Sequence, residues 1–216
     1  MSPLQALFGK GETGPQPDLT TFVPGGAGDD VLLVDGATPP GGDAVAAALA
    51  GCVVLAHDRA AAAGLPFHEG DARRLPSRAG GWRAIVLLDV VDRVLDPARA
   101  LRAAAEALAA GGSVVVLQQV APDDVGARGA WNALARLRDD RHTWTPTRRQ
   151  VRAVCGDAGL TRGREALWDE ECDVTASLRP TTATLHRTYV AALEHSGLVR
   201  GGRVTLRRLG LVLTHG

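Results

Sequence analysis

The chain has 216 residues, of which 45% are hydrophobic and 22% charged, so it has the composition of an ordinary globular domain rather than of a disordered, collagen-like or coiled-coil protein. Its 24 basic and 24 acidic residues cancel, and no overall charge draws it to nucleic acid or to an anionic membrane. We expect one domain over residues 30–216, preceded by an extended lead-in rich in glycine and proline over residues 1–29.

From residue 30 onward, short aliphatic runs alternate with alanine-rich helical patterns. Such runs predict strands buried on both faces, and their alternation with helices predicts a parallel sheet covered on both sides. The predicted strands lie within residues 31–34, 52–56, 84–88 and 114–117, and residues 204–214 predict one long strand or a tight pair. The expected class is therefore α/β with an open sheet.

Three helices are expected between these strands. The first lies within residues 44–50. The second has Asp96 as its N-cap and Pro97 at its first position, and it is expected to run to residue 110 and stop at a glycine pair. The third begins by the same chemistry at Thr145 and runs toward residue 156 or 159. Cys155 falls on its apolar side, which indicates a core thiol rather than a nucleophile.

The remaining cysteines, Cys52 and Cys172, are far from Cys155 and from each other, a spacing typical of reduced thiols rather than of zinc or disulfide motifs. The first residues lack the charged start and apolar run of a signal peptide. No apolar stretch reaches the roughly 20 residues of a membrane-spanning helix. We therefore expect a cytoplasmic protein.

Three motifs follow one another along the chain. Gly-Asp-Ala-Arg-Arg-Leu-Pro occupies residues 70–76; Leu-Asp-Pro opens the segment 95–101, which is followed by a glycine pair and a valine-rich strand; and Trp-Asn-Ala-Leu-Ala-Arg-Leu-Arg-Asp-Asp-Arg-His occupies residues 131–142. The set resembles class I S-adenosylmethionine-dependent methyltransferases, nearest the small-molecule group with the quinone-pathway enzymes. The resemblance implies a Rossmann-like open sheet of about seven strands flanked by helices, with the last strand antiparallel.

It also implies a function and a set of cofactor contacts. The function is methyl transfer from S-adenosylmethionine to a small-molecule acceptor, with a homodimer or a partner protein left open. Asp58 would accept hydrogen bonds from the ribose hydroxyls, and Asp71 would face the adenine amino group. The residues that the resemblance places at the cofactor are Asp35, Gly36, Ala37, Asp58, Asp71, Ala72 and Leu88.

The first loop departs from the family pattern Asp-x-Gly-x-Gly-x-Gly. An alignment from Asp35 puts Ala37 and Pro39 where glycines are usual and keeps only Gly41. Alanine adds a methyl group, and proline removes an N–H and fixes φ near −65°. The alternative is therefore a methyltransferase-like protein that catalyses a cyclisation, isomerisation or elimination, or that serves as a non-catalytic binding partner.

On the substrate side, His142 is the best candidate for a general base, because an unperturbed imidazole titrates near pH 6.5. Asp89, at the end of the fourth predicted strand, is the second catalytic candidate. The predicted substrate contacts are Asp92, Gln118, Asn132 and Trp144. Each has an ordinary structural alternative: a helix-end histidine, turn-capping acids, or a tryptophan that belongs to the core.

Five potential metal ligands also lie near two predicted strand ends: His57, Asp58, His68, Glu69 and Asp71. Their spacing matches no known metal motif. We expect no metal site.

Overall fold

The computed structural model describes residues 17–23, 28, 30–35, 53–56, 67–69, 71–138, 142, 144–173 and 183–215. Its sheet contains the strands β1 (Val31–Asp35), β2 (Val53–Ala56), β3 (Phe67–Glu69), β4 (Trp82–Leu88), β5 (Leu108–Val120), β6 (Leu160–Asp173), β7 (Val199–Arg200) and β8 (Arg203–His215). The order is β3-β2-β1-β4-β5-β8-β6, with the two-residue β7 paired to β8. The expected open α/β sheet of about seven main strands is confirmed.

Strand direction divides the sheet into two parts. Five neighbouring strands are parallel, in the order β3, β2, β1, β4 and β5. Their carboxyl ends therefore meet at one edge of the sheet, where Asp35 of β1 lies beside Leu88 of β4. Strand β8 runs antiparallel to both β5 and β6, as expected for the last strand, and places Arg208 opposite Gln119. The end of β5 and the middle of β8 thus reach the same edge as the end of β4.

Two of the four described helices pack on one face of this sheet. The helices are α1 (Pro97–Glu106), α2 (Val125–Arg138), α3 (Arg148–Asp157) and α4 (Ala183–His195). Helices α1 and α3 pack on the face that carries Leu32, Ile85 and Val116, where Leu101 and Cys155 are fully enclosed. Helices α2 and α4 pack on each other, with Trp131 and Leu193 in a separate small core near β7.

The opposite face of the sheet is partly covered by a segment of the predicted lead-in. Residues Leu19–Phe22 form a short 3₁₀ helix whose Phe22 ring is completely buried, 6.1 Å from the ring of Trp168. Gly210 makes this contact possible, because a Cβ there would lie 2.6 Å from the Phe22 ring. The core therefore includes residues before residue 30, the position at which the sequence analysis placed the start of the domain.

Two helix boundaries differ from the sequence prediction. Helix α1 ends at Glu106, not at residue 110, because Leu108 already pairs with Trp82 as the start of β5. Gly112 is required by close packing in this bulged strand, since a Cβ would lie 2.9 Å from the Trp82 carbonyl oxygen. Helix α3 is capped by Thr147, not Thr145, through a reciprocal hydrogen-bonded box with Gln150.

The predicted helix within residues 44–50 lies outside the described residues. None of the helices that the structure describes is long and apolar enough to cross a membrane.

Candidate active site

A buried histidine and a buried carboxylate meet beyond the carboxyl ends of β4 and β5. His142 Nδ1 lies 3.3 Å from Asp92 Oδ2, and the two residues are 7% and 4% exposed. Because a carboxylate accepts hydrogen bonds and does not donate them, this contact favours the neutral tautomer with its proton on Nδ1 and its lone pair on Nε2. The sequence prediction named both residues without pairing them.

Gln118 fixes the carboxylate from the other side. Its Nε2 donates to Asp92 Oδ1 at 3.0 Å, and its Oε1 accepts from the backbone N–H of Val91 at 3.1 Å. The side chain is completely buried at the end of β5. Gln118 therefore holds both the loop after β4 and the Asp92 side chain in one orientation, which makes it a positioning residue in this geometry.

Thr145 completes the group on the far side of the imidazole. Its Oγ1 lies 3.2 Å from His142 Nε2, and its backbone N–H donates to Asn132 Oδ1. Asn132 is anchored in turn, because its Nδ2 donates to the Arg128 carbonyl oxygen of the same helix at 2.9 Å. The predicted residues Asp92, Gln118, Asn132 and His142 thus belong to one connected hydrogen-bond network.

Asp89 belongs to a second network. Its Oδ1 accepts from the backbone N–H of Gln119 at 2.8 Å, and its Oδ2 accepts from Arg208 Nη1 at 2.6 Å. Its backbone has a φ of 47°, a conformation that non-glycine residues rarely adopt and that is found disproportionately at functional sites. With both oxygens engaged, this geometry favours a positioning role for Asp89 over the proton transfer that the sequence suggested.

Arg208 connects β8 to β6 and to the loop after β4. Besides Asp89, its Nε donates to Glu170 Oε2 on β6 at 3.1 Å. Burial lowers the pKa of Arg208, but the two carboxylates outweigh that effect and the net pKa is raised, so the guanidinium stays charged. Neither Arg208 nor Thr145 was among the predicted site residues.

The cofactor side is described only in part. Asp35 ends β1 beside Leu88, half-buried at the carboxyl edge. Asp71 follows β3, and both of its carboxylate oxygens accept from the Arg73 side chain, while Ala72 packs on the core. Gly36, Ala37 and Asp58 lie outside the described residues.

The tryptophans divide between core and site. Trp131 and Trp168 are buried in two different core clusters, which favours a packing role over a substrate contact for both. Trp144 is half-buried and lies between His142 and Thr145 in the chain. Its predicted substrate contact stays a prediction.

The described carboxylates are of the kind that would hold S-adenosylmethionine. Carboxylates at the end of β1 and after β3 offer acceptors to hydroxyl and amino groups, at the edge where parallel α/β sheets bind nucleotides. Among the residues that the structure describes, no three His, Cys, Asp or Glu side chains are grouped so as to hold a metal ion.

Comparison with known proteins identifies a family and a fold. The family model described as "Methyltransferase domain" matches residues 34–162. By sequence, no curated protein matches the chain. Among solved structures, the YcgJ protein of Bacillus subtilis superposes with a TM-score of 0.68 at 16% identity, over 86% of this chain and 92% of that one.

Two further structures share the fold. The [4+2]-cyclase SpnF has a TM-score of 0.59 at 15% identity, over 91% of this chain and 79% of its own. Geranyl diphosphate C-methyltransferase from Streptomyces coelicolor, solved with Mg²⁺, geranyl diphosphate and S-adenosyl-L-homocysteine, has a TM-score of 0.53 at 16% identity, over 91% of this chain and 77% of its own.

Proposed function

Because the chain belongs to the methyltransferase domain family, we propose that it transfers a methyl group from S-adenosylmethionine to a small-molecule acceptor, with His142 as the base. The observation that carries the proposal is the Asp92–His142 pair at the carboxyl edge of the sheet. A histidine oriented by a carboxylate is a recurrent arrangement in general-base catalysis.

The cofactor would lie against the ends of β1 and β4. Asp35 and Asp71 are the described carboxylates that would hold it, with Leu88 and Ala72 as apolar neighbours and Gly36, Ala37 and Asp58 as further contacts expected from the sequence. When bound, S-adenosylmethionine supplies an electrophilic methyl group on a sulfonium. The protein's task is then to hold the acceptor atom in line with that group, and proximity and orientation supply most of the acceleration.

Where the acceptor carries a proton, the His142 network removes it. Nδ1 is held by Asp92, so the proton arrives at Nε2, the nitrogen that faces Thr145 Oγ1. The Thr145 hydroxyl passes its own proton to Nε2 as it takes the acceptor's proton, so no charge remains on the threonine. Asp92 stabilises the imidazolium that forms.

Calorimetric titration tests the cofactor step directly. We expect micromolar binding of S-adenosylmethionine and S-adenosylhomocysteine, about −8 kcal/mol, and weaker binding by Asp71→Ala with unchanged folding. Asp123→Ala, which removes an exposed carboxylate on the loop before α2, is the matched control. No binding of either compound to folded, ligand-free protein would overturn the proposal.

The second candidate function is a methyl-independent reaction such as a cyclisation. It is favoured by Ala37 and Pro39, which stand in the sequence where the family pattern has glycines, and the fold likeness to a cyclase agrees with it. Pro39→Gly separates the two candidates, because restored glycine should tighten S-adenosylmethionine binding if this loop limits a methyltransferase. Unchanged weak binding would favour the second candidate.

A further inference from the structure

We propose that Arg208 recognises the acceptor molecule, donating a hydrogen bond from Nη2 to a neutral carbonyl or hydroxyl oxygen. This inference rests on the proposed function, in that the oxygen belongs to the compound that the site acts on. It assigns a specificity role to a residue on β8, a strand that the family resemblance left without site residues.

The guanidinium has one uncommitted nitrogen. Nε is bound to Glu170 and Nη1 to Asp89, whereas Nη2 has no hydrogen-bond partner in the part of the chain that the structure describes. The Arg208 side chain is 14% exposed, and Nη2 is not among the nitrogens enclosed without a partner. It is therefore a donor that a ligand can reach.

The location suits an acceptor. Arg208 stands opposite Gln119 at the end of β5, and its Asp89 partner directly follows β4. Strand β4 is in turn the neighbour of β1, where Asp35 marks the proposed cofactor side. A molecule bound at Nη2 lies at the same sheet edge as the cofactor residues and the Asp92 loop.

The donor is also fixed in advance. The guanidinium is held by Glu170 on β6 and by Asp89 in the loop after β4, and Asp89 is itself held by the Gln119 backbone N–H. Little side-chain freedom remains to be lost on binding, so a single hydrogen bond here contributes more to affinity than one from a mobile arginine.

Charge decides the class of ligand. Asp89 and Glu170 bring two negative charges against the single positive charge of Arg208, so the immediate surroundings already carry an excess negative charge. An anionic group would be repelled by the two carboxylates. A neutral carbonyl or hydroxyl oxygen accepts the hydrogen bond without that cost.

Three naphthalene probes test this by titration in the absence of cofactor: 2-acetylnaphthalene has a neutral carbonyl, 2-naphthoate an anionic one, and 2-ethylnaphthalene none. We expect 2-acetylnaphthalene to bind about five- to tenfold more tightly than 2-ethylnaphthalene, the effect of one net hydrogen bond. We expect 2-naphthoate to bind most weakly. Arg208→Lys keeps the charge beside Asp89 but removes the forked nitrogen, and should abolish the preference for the ketone.

Arg203→Lys is the matched control, because Arg203 lies on the same strand in an exposed pair with Glu171. A ketone preference that survives Arg208→Lys would overturn the proposal, and so would equal binding, or no binding, of the three probes to the wild-type protein. Cofactor titration of the same variants reports on the proposed function separately. If the wild-type protein binds no cofactor but keeps the ketone preference, methyl transfer is disproved and the Arg208 assignment stands.

Discussion

Gln118 and Gln119 are neighbours at the end of β5, yet each fixes a different acid of the loop after β4. The Gln118 side chain donates to Asp92, and the Gln119 backbone N–H donates to Asp89. Because successive side chains of a strand point to opposite faces, Gln118 lies on one face of the sheet and Arg208, the register partner of Gln119, lies on the other. One carboxylate then orients His142, and the other holds Arg208.

This division separates two chemical tasks. The Asp92 side can move a proton, because it ends in an imidazole and a hydroxyl. The Asp89 side can bind a ligand through its partner, because the Asp89 carboxylate holds the Arg208 guanidinium in place. Both sides are supported by the end of β5, through the Gln118 side chain and the Gln119 backbone.

Asp92→Asn tests the base. The amide would still accept from Gln118, but it would present an N–H to His142 and favour the ring tautomer whose Nε2 is already protonated. We expect kcat for methyl transfer to a proton-bearing acceptor to fall by roughly 10²- to 10⁴-fold, with S-adenosylmethionine affinity unchanged. Stopped-time assays with a radiolabelled methyl group measure this.

His142→Gln should give a similar loss, and the double variant should lose little more than either single one, because the two residues act as a unit. His195→Gln, an exposed histidine in the last turn of α4, is the control. Additive losses from the two single changes would contradict a coupled pair.

Gly210→Ala tests the packing of the 3₁₀ segment on the sheet. The new Cβ would lie 2.6 Å from the Phe22 ring, which is wedged beside Trp168 and has no room to retreat. We expect a loss of about 1–3 kcal/mol in the free energy of unfolding from overpacking. Urea denaturation followed by tryptophan fluorescence measures it.

A glycine-to-alanine substitution at a position with free space around it provides the comparison. Gly129 lies on the exposed side of α2, with nothing within 4 Å of an added Cβ. Gly129→Ala should therefore stabilise the protein by up to about 1 kcal/mol through helix propensity. A destabilisation of the same size at both positions would show that the Phe22 contact is not the cause.

The sequence predicted the parallel strands β1, β2, β4 and β5 because the signal for buried parallel strands is local, but it missed β6 (Leu160–Asp173), which has no aliphatic run. The aliphatic runs 31–34 and 84–88 need no knowledge of their neighbours to be recognised. Helix ends were less accurate: the glycine pair after α1 suggested a stop, but tertiary pairing of Leu108 with Trp82 ended the helix earlier. A glycine required by close packing looks the same in sequence as a helix-terminating one.

The sequence predicted the residues around His142 but not Arg208, because only the former carry a local signal. His142 falls in a motif of the recognised family and Asp92 follows a predicted strand, and the fold brings the two together. The Asp89–Arg208 contact depends instead on the register of β8 against β5, which no local pattern encodes. In a chain where nearly every basic residue is arginine, Arg208 had nothing to distinguish it.

Cys155 should be unreactive while the protein is folded. Burial in the core beneath α3 raises the pKa of this thiol to about 12, so almost no thiolate forms at neutral pH. In a variant with Cys52→Ser and Cys172→Ser, we expect no reaction with a thiol reagent at pH 8 until urea unfolds the chain. Labelling at the rate of a free thiol in the native state would contradict the core assignment made from the sequence.

Glu165 gathers three arginines on the α3 side of β6. Arg148 and Arg152 donate to its carboxylate, and Arg162 joins from the same strand at 3.0 Å. Burial raises the pKa of Glu165, but the hydrogen bonds from Arg152 and Arg148 outweigh it, so the net pKa is lowered. The carboxylate therefore stabilises the folded state only while it is ionised.

A comparison of wild type with Glu165→Gln across pH tests this sign. Because the folded-state pKa lies below the unfolded value of about 4.3, the wild type should be the more stable above that pH. The difference should shrink as pH falls through the folded-state pKa, where both states are protonated. Glu194→Gln, at an exposed position on α4, should show no such pH-dependent gap. A Glu165 gap that persisted undiminished at pH 2 would mean that packing, rather than the charge on the carboxylate, holds the three arginines together.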